Sequence, residues 1–167
     1  MNERAQALAT ALIRNFNDAP TERLVREPHY DAAGARLARG TAARRLGASI
    51  DTLAPGKLGC PYHLHHAQEE MFVVLEGQGT LRVAGEMLPL RTGDVVFIPA
   101  GPEYPHQIIN TSAEPLKYLS VSTQESPEIC EYPDSGKFLA ESKNGTATNF
   151  DVIHKAGESV DYWQDEP

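Results

Sequence analysis

The first twenty residues alternate apolar and polar positions with the period of a helix. The apolar residues recur at intervals of three and four, which places them along one stripe of an α-helix; they are Ala5, Leu8, Ala9, Leu12, Ile13 and Phe16. The stripe predicts an amphipathic helix that ends near Asn17 and Pro20 and covers the body of the protein or a partner subunit. Because no second helix follows at turn spacing, a helix-turn-helix DNA reader has no support.

From Arg45 to Thr123 the pattern changes to short apolar runs separated by turn signals, which is typical of successive β-strands. Glycines lie between the runs in EGQG, AGE and RTGD, where tight hairpins need residues that can adopt positive φ. Runs such as MFVVL and VVFIP are apolar on both faces, so two packed sheets or a barrel fit better than a sheet with one solvated face. No helical crossover interrupts the stretch, which argues against a parallel α/β fold.

The last part of the chain, 124–167, is rich in Pro, Ser and Gly at ESPEICEYPDSGKF and contains one further strand-like run, Phe150 to His154. We interpret it as an arm that covers the barrel. With 167 residues and 41% hydrophobic content, the chain has the size of one domain. Within that domain we expect an N-terminal helix and arm (1–40), an antiparallel barrel core (41–123) and the C-terminal arm.

The charge balance limits the class of partner. Fifteen basic residues against 23 acidic residues give a formal charge of −8, so the surface repels nucleic acid. No stretch has the length and hydrophobicity of a membrane span, and the charged start lacks the apolar core of an export signal. Two cysteines, Cys60 and Cys130, are too few for a disulfide-built fold and suit a reducing compartment. These features predict a cytoplasmic protein with no nucleic-acid or membrane partner.

The densest cluster of coordinating side chains is PYHLHHAQEEMF, residues 61–72. On a β-strand, residues i and i+2 point to the same face, so His63 and His65 can direct both imidazoles into one cavity. A turn would let the next strand present Glu70, and His106 follows a loop stiffened by three prolines. Such ligands suit Mn, Fe, Zn, Ni, Co or Cu, so the four residues predict a divalent metal site of open identity. Binding needs deprotonated imidazoles, and occupancy should therefore fall below roughly pH 6.

The spacing within this cluster resembles the first motif of the cupins. That motif reads glycine, five residues, His-x-His, three or four residues, Glu, six residues, Gly. His63, His65, Glu70 and Gly77 fit it, whereas Gly56 lies one residue too early for the leading glycine.

A second stretch resembles the second cupin motif, which reads glycine, five residues, Pro-x-Gly, two residues, His, three residues, Asn. Four residues rather than two precede the histidine here, and the matching residues are Gly93, Pro99, Gly101, His106 and Asn110. The resemblance covers Arg45 to Thr123 and implies an all-β, antiparallel double-stranded β-helix, the cupin jelly-roll barrel, with the predicted metal at its centre. Cupin barrels commonly pair, which implies a homodimer.

Other coordinating side chains lie near the motif or apart from it. His66 and Glu69 are rival ligands by adjacency, but each breaks the motif spacing. Cys60 could approach the site, although a small buried thiol is the commoner outcome. His29 and His154 are interpreted as ordinary surface or core residues.

The ligand set also indicates what the centre attracts. Three imidazoles and one carboxylate leave a divalent ion with residual positive charge, which favours an anionic or oxygen-rich ligand. The stretch HHAQEEMFVVLEGQGTLRV, the tail EYPDSGK and the closing VDYW resemble stand-alone bacterial cupins described as sugar-phosphate isomerases. The resemblance implies a metal-dependent enzyme of isomerase type acting on a small sugar-like or sugar-phosphate substrate. The basic residues available for phosphate contact are Lys57, Arg82, Arg91 and Lys137, although scattered basic residues are usually solvated surface.

Three alternatives stay open on the same residues. Similar ligand sets support oxygen chemistry, so an iron-dependent dioxygenase or decarboxylase is the second class of enzyme. A non-catalytic cupin that binds a small molecule is the third class, and the metal could be structural in any of them. The sequence names no general base.

Overall fold

The computed structural model describes residues 2–144, 147–155, 157 and 159–167. Within these residues the chain forms one helix, α1 (Glu3–Leu12), followed by strands. The strands are β1 (Glu22–Arg26), β2 (Tyr30–Arg36), β3 (Leu46–Leu53), β4 (Leu64–His65), β5 (Glu70–Glu76), β6 (Gln78–Val83), β7 (Glu86–Arg91), β8 (Val95–Ile98), β9 (His106–Ile109), β10 (Leu116–Thr123), β11 (Glu128–Tyr132), β12 (Lys137–Asn144) and β13 (Ala147–Lys155).

Two layers of antiparallel strands build the barrel. One layer is a six-stranded sheet in the order β1-β2-β3-β10-β5-β8. The other contains the sheets β13-β12-β11-β4 and β7-β6-β9. An isolated β-bridge between His63 and His106 links these two sheets. The His63 amide donates to the His106 carbonyl at 3.1 Å, and the His106 amide donates to the His63 carbonyl at 2.7 Å. The predicted all-β, antiparallel jelly-roll architecture with a short N-terminal helix is confirmed.

The hydrophobic core fills the space between the layers. Its fully buried members include Leu53 and Leu116, at 0% exposure on adjacent strands of the large sheet. Each such side chain contributes roughly 1.5–3 kcal/mol when it leaves water. The other buried members of the cluster are Phe72, Val74, Leu81, Leu90, Ile98, Ile108 and Tyr118. They come from both layers, so the core holds the two sheets together.

Tight turns connect the strands where the sequence placed glycine. Ala84 and Gly85 join β6 to β7 with φ of 49° and 85°, the positive values that a two-residue hairpin turn requires. Gly77 joins β5 to β6 at φ 83°, and a Cβ atom there would collide with the carbonyl oxygen of Pro115. Glycine is therefore required at position 77 for both backbone conformation and space.

The helix is shorter than its apolar stripe predicted. It ends at Leu12, and Ile13 is already extended with φ −114° and ψ 131°. The Arg14 guanidinium donates to the carbonyls of Thr10 and Ile13 at 2.6 and 2.9 Å, which satisfies acceptors that another helical turn would have used. The predicted end near Asn17 was wrong for this reason. No residue of α1 is buried, so its predicted covering of a partner subunit stays a prediction.

The two ends of the chain contain more strand than their patterns indicated. Strands β1 and β2 lie within 1–40, where only a helix and an arm were expected, and they extend the large sheet beyond β3. The C-terminal arm contributes β11, β12 and β13 rather than one strand-like run. Small residues in YDAAGAR and mixed polarity in ERLVR hide the two N-terminal strands, because neither segment alternates clearly.

Candidate metal centre

Three short segments of the barrel deliver the predicted ligands to one point. His63 directly precedes β4, Glu70 opens β5 and His106 opens β9. One ligand atom from each of these three residues lies within 4.8 Å of the other two, which is the mutual spacing of side chains that could share a metal ion. The His63–His106 bridge fixes this arrangement, because two paired backbone residues carry two of the three side chains.

One carboxylate oxygen is the focus of the cluster. Glu70 Oε2 lies 2.8 Å from His106 Nε2 and 3.6 Å from the Nε2 atoms of both His63 and His65. His65 thus joins the group through Glu70, although it lies outside the tighter set of three. The structure brings all four sequence-predicted residues together, and their assignment to a metal stays a prediction.

In each of the three histidines, the Nδ1 atom lies on the side of the ring away from Glu70 and next to a hydrogen-bond acceptor. His63 Nδ1 lies 2.9 Å from the carbonyl of Pro61, and His106 Nδ1 lies 3.1 Å from the carbonyl of Tyr104. His65 Nδ1 lies 3.3 Å from a Glu128 carboxylate oxygen. An acceptor at Nδ1 holds a proton on that nitrogen and turns Nε2 toward Glu70. A cation that displaces the protons shared with Glu70 would then meet an Nε2 lone pair on each ring. All three rings are therefore oriented as metal-ligating imidazoles, and the donor set fits a divalent ion.

Protonation in the metal-free site follows from burial and from the neighbouring charges. Burial opposes ionisation of His63, but contacts with Cys60 and Glu70 outweigh it and raise the pKa of His63 to about 11. Burial likewise opposes ionisation of Glu70, yet hydrogen bonds with His106 and His63 hold the pKa of that carboxyl well below its usual range. Burial lowers the pKa of His65. The centre thus keeps a negative carboxylate neutralised by a proton on a histidine, and a cation can take the place of that proton.

Glu128 contacts the candidate metal centre, and the sequence did not reveal this position. It is only 3% exposed, and its carboxylate accepts hydrogen bonds from three successive backbone amides, those of His66, Ala67 and Gln68, at 3.0, 3.1 and 3.0 Å. The same carboxylate contacts His65. It therefore fixes both the turn between the first two ligands and Glu70 and the orientation of one ring. In the sequence it is one of several acidic residues in the stretch ESPEICEYPDSGKF, which is rich in Pro, Ser and Gly.

The rival ligands point elsewhere. His66 Nε2 contacts Glu131 at 2.6 Å on the surface, and Glu69 is exposed. Cys60 Sγ lies 3.6 Å from His63 Nδ1, behind the ring rather than on its metal-facing side. His154 packs near Phe138 in the C-terminal sheet. None of these residues belongs to the three-residue set of possible ligands found in the described part of the chain.

A cavity of about 990 Å³ opens from the ligand cluster. Its inner wall is the polar end of the large sheet, where Asp51, Tyr118 and several serines share one face. The basic residues that line it are Arg36, Arg39, Arg44, Arg45 and Lys143. The four basic residues proposed from sequence for phosphate contact are not among the residues that line this cavity.

Those four basic residues have other contacts. Lys57 pairs with Glu27 at 2.7 Å, and Arg82 pairs with Asp134 at 2.6 Å. Lys137 lies over the Tyr132 ring at 5.0 Å. Arg91 is 86% exposed at its side chain, 4.0 Å from Asp94. The phosphate-contact hypothesis for these residues finds no support in their positions.

A known protein family matches the sequence of the barrel. Residues 49–122 match the family model described as the cupin domain. The match spans the antiparallel core and the first ligand motif and ends beyond His106, so residues 49–122 have the sequence pattern of a cupin domain as well as its jelly-roll architecture.

Particular relatives are similar to parts or most of the chain. An uncharacterized protein of Methanocaldococcus jannaschii is 37% identical over 73 residues, 41% of this chain and 57% of that protein. Auxin-binding protein 1 of Arabidopsis thaliana is 31% identical over 134 residues, 74% of this chain and 64% of that protein. The chain thus spans less than two thirds of the length of either relative. The crystal structure of a candidate sugar phosphate isomerase from Acidithiobacillus ferrooxidans superposes with a TM-score of 0.77 at 26% identity, covering 90% of this chain and 96% of that one.

One further finding concerns membranes. Among the described residues, none of the helical structure has the length and apolar character needed to cross a bilayer.

Proposed function

We propose that the protein is a divalent-metal-dependent enzyme of isomerase type that acts on a small sugar-like or sugar-phosphate substrate. The observation that carries the proposal is the convergence of three Nε2 atoms on one oxygen of Glu70 at the wall of a large polar cavity. The likeness to the Acidithiobacillus ferrooxidans structure supports the choice of reaction class. A bound divalent ion supplies Lewis-acid polarisation of adjacent carbonyl and hydroxyl oxygens, which favours proton transfer between neighbouring carbons.

The cavity also offers side chains that can hold or accept protons. Asp51 and Tyr118 lie directly opposite each other on β3 and β10, so their side chains share the inner face. Burial raises the pKa of the Asp51 carboxyl, although a 2.6 Å hydrogen bond from Ser49 partly opposes this. Burial likewise raises the pKa of Tyr118 well above its usual value, so the phenol stays a neutral donor. We propose Asp51 as the proton acceptor and Tyr118 as a hydrogen-bond donor to substrate oxygen.

The biological setting is part of the proposal. We expect a cytoplasmic homodimer whose partner is a small molecule, with no nucleic-acid or membrane partner. The acidic composition supports the exclusion of nucleic acid, since a net charge of −8 repels phosphate backbones. The exposed apolar stripe of α1, with Leu8 at 50% and Leu12 at 63% exposure, supports pairing.

The metal part of the proposal is tested by elemental analysis of the purified protein and of a matched pair of double variants. His63→Ala with His106→Ala removes two predicted ligands, while His29→Ala with His154→Ala removes two histidines outside the cluster. The first pair should lose metal affinity at least about a hundredfold, because two of four ligands are gone, and the control pair should bind like the parent. Equal affinity in both pairs would refute the metal centre.

The reaction class is tested by exchange of substrate carbon-bound protons with deuterated water, followed by NMR over a panel of aldose and ketose phosphates. Metal-dependent exchange that disappears in Asp51→Asn supports the isomerase. Oxygen uptake with small diketones by the Fe(II)-loaded protein, without such exchange, would assign it instead to the dioxygenase class, and release of CO2 from small carboxylic acids would assign it to the decarboxylase class. Saturable binding with neither reaction would make it a binding protein.

A further inference from the structure

We propose that an arginine cluster at the mouth of the cavity, consisting of Arg36, Arg39, Arg44 and Arg45, is a binding subsite for the phosphate or similar multi-oxygen anionic terminus of the substrate. This inference rests on the proposed function, because it takes the ligand cluster and the arginines as two ends of one substrate site. All four arginines line the same cavity as the ligand cluster.

Among the described residues none of the four guanidinium groups lies within 4.0 Å of a carboxylate oxygen, although the charge of Arg36 acts on the Asp51 carboxyl and lowers its pKa against the larger effect of burial. The salt bridges there involve other arginines, such as Arg23 with Asp31 at 2.7 Å and Arg82 with Asp134 at 2.6 Å. The chain has 23 acidic residues and 15 basic residues, so carboxylates outnumber the cations with which they could pair. All four side chains are exposed and line one cavity, which three carboxylates also line, those of Asp51, Glu70 and Glu125. Guanidinium groups gathered on one side of a cavity offer charge-assisted hydrogen bonds to an anion that enters it.

The sheet register places this cluster across the cavity from the metal ligands. Phe72, two residues along β5 from Glu70, is paired with Ser120 on β10. Ser120 is paired with Ser49 on β3, and Ser49 with Arg36 on β2. Three strand spacings therefore separate β5 from Arg36, which is about 14 Å along the sheet. A small inorganic anion cannot contact both ends at once, whereas a phosphorylated polyol has the length to do so.

The segment that carries the other three arginines is held in place. The amides of Leu37 and Ala38 donate to the carbonyl of Ala48, and the Thr41 hydroxyl donates to the carbonyl of Ala38 at 2.7 Å. The amide of Ala42 donates to the carbonyl of Ala11, at the end of α1. The Arg14 guanidinium donates to the carbonyl of Gly40 at 3.0 Å. Residues 37–45, here called the arginine loop, are thus positioned by the N-terminal helix and the segment that follows it.

The chemistry of the subsite favours phosphate. A guanidinium presents parallel N–H donors that match two oxygens of one anion, and it stays charged at all physiological pH values. Ser120 and Ser122 add hydroxyl donors on the wall between the arginines and Glu70. Removing two guanidinium contacts should lower the binding affinity for an anion by about a hundredfold, roughly tenfold for each charge-assisted hydrogen bond.

The test compares Arg44→Ala with Arg45→Ala against a matched control, Arg4→Ala with Arg26→Ala. Both double variants lose two positive charges, and the control arginines are exposed and lie outside the cavity. Affinities for inorganic phosphate, D-ribose 5-phosphate and D-ribose are measured by calorimetry on metal-free and Mn²⁺-loaded protein. We expect the first variant to lose affinity for both phosphates by about a hundredfold, and the control to stay within about twofold of the parent. Affinity for D-ribose should be equal in all three proteins.

The outcomes separate this inference from the proposed function. Equal phosphate affinities in the two variants, or no phosphate binding to the parent protein, would overturn the subsite. Arginine-dependent phosphate binding to metal-free protein, combined with failure of the histidine variants to alter metal content, would retain the subsite and refute the metal centre. Metal-dependent proton exchange on a sugar phosphate that is unchanged by substitution of Arg44 and Arg45 would retain the metal centre and refute the subsite.

Discussion

Glu128 offers the sharpest test of how the centre is built, because one buried carboxylate supports both the ligand turn and a ligand ring. Each of its oxygens accepts two contacts: Oε1 from the His66 amide and His65 Nδ1, and Oε2 from the amides of Ala67 and Gln68. In Glu128→Gln one oxygen becomes an amide nitrogen, which cannot accept, so two of the four donors face another donor. At about 1.5–3 kcal/mol for each bond to a charged group, loss of two such bonds should lower the unfolding free energy by roughly 3–6 kcal/mol.

Metal affinity should fall with it. A lost outer partner of a metal-ligating histidine typically costs tenfold to a hundredfold in affinity, and His65 loses its Nδ1 acceptor here. Urea unfolding of metal-free protein gives the stability, and a competition titration with a chromophoric chelator gives the affinity. The matched control is Glu131→Gln, whose exposed carboxylate pairs with the exposed His66; this substitution should change stability by less than about 1 kcal/mol. If both substitutions leave both quantities unchanged, Glu128 does not organise the centre.

Three further predictions concern protonation and assembly. Burial raises the pKa of Asp51, so ionisation of this carboxyl destabilises the folded protein at pH values above its pKa in the unfolded chain, near 3.8. Asp51→Asn should therefore raise Tm at pH 7, and the increase should vanish toward pH 4. Calorimetry at both pH values measures this difference. The pKa of His63 is raised to about 11, so its proton stabilises the metal-free protein. This contribution is complete below pH 6.5 and decreases progressively as the pH rises. Metal binding must displace the same proton. The Tm difference between loaded and chelated protein should thus grow from pH 6 to pH 9, and a constant difference would contradict this. Deletion of residues 1–18 should weaken the proposed dimer, and unchanged mass by light scattering would exclude a part for the helix.

The barrel was predictable because its physical causes are local. Alternating and doubly apolar runs define the strands between 45 and 123, and glycines at hairpin positions define where they turn. The four-residue ligand cluster was predictable as a spatial group because His63 and Glu70 are close in sequence and the second motif places His106 at the start of a strand. In each case a few neighbouring residues contain the information.

The elements that sequence did not reveal depend on distant contacts. Glu128 reaches the ligand turn from 60 residues away, as its bond to the Gln68 amide shows, and no local pattern distinguishes it from a surface glutamate. The arginine loop meets the cavity only because β2 and β3 pair in one particular register. The early end of α1 depends on Arg14, whose side chain replaces the next helical turn. Periodicity contains none of these long-range or side-chain contacts.

The β-bridge between His63 and His106 has a mechanical consequence. These two residues form the seam, the β-bridge that joins the two smaller sheets. A cation bound by both side chains would therefore cross-link the two sheets. Chelation should then loosen the seam before the larger sheet opens, and the amide hydrogens of these two residues should exchange with solvent sooner than those of β3 and β10. Metal occupancy and the pairing of the two smaller sheets should then rise and fall together.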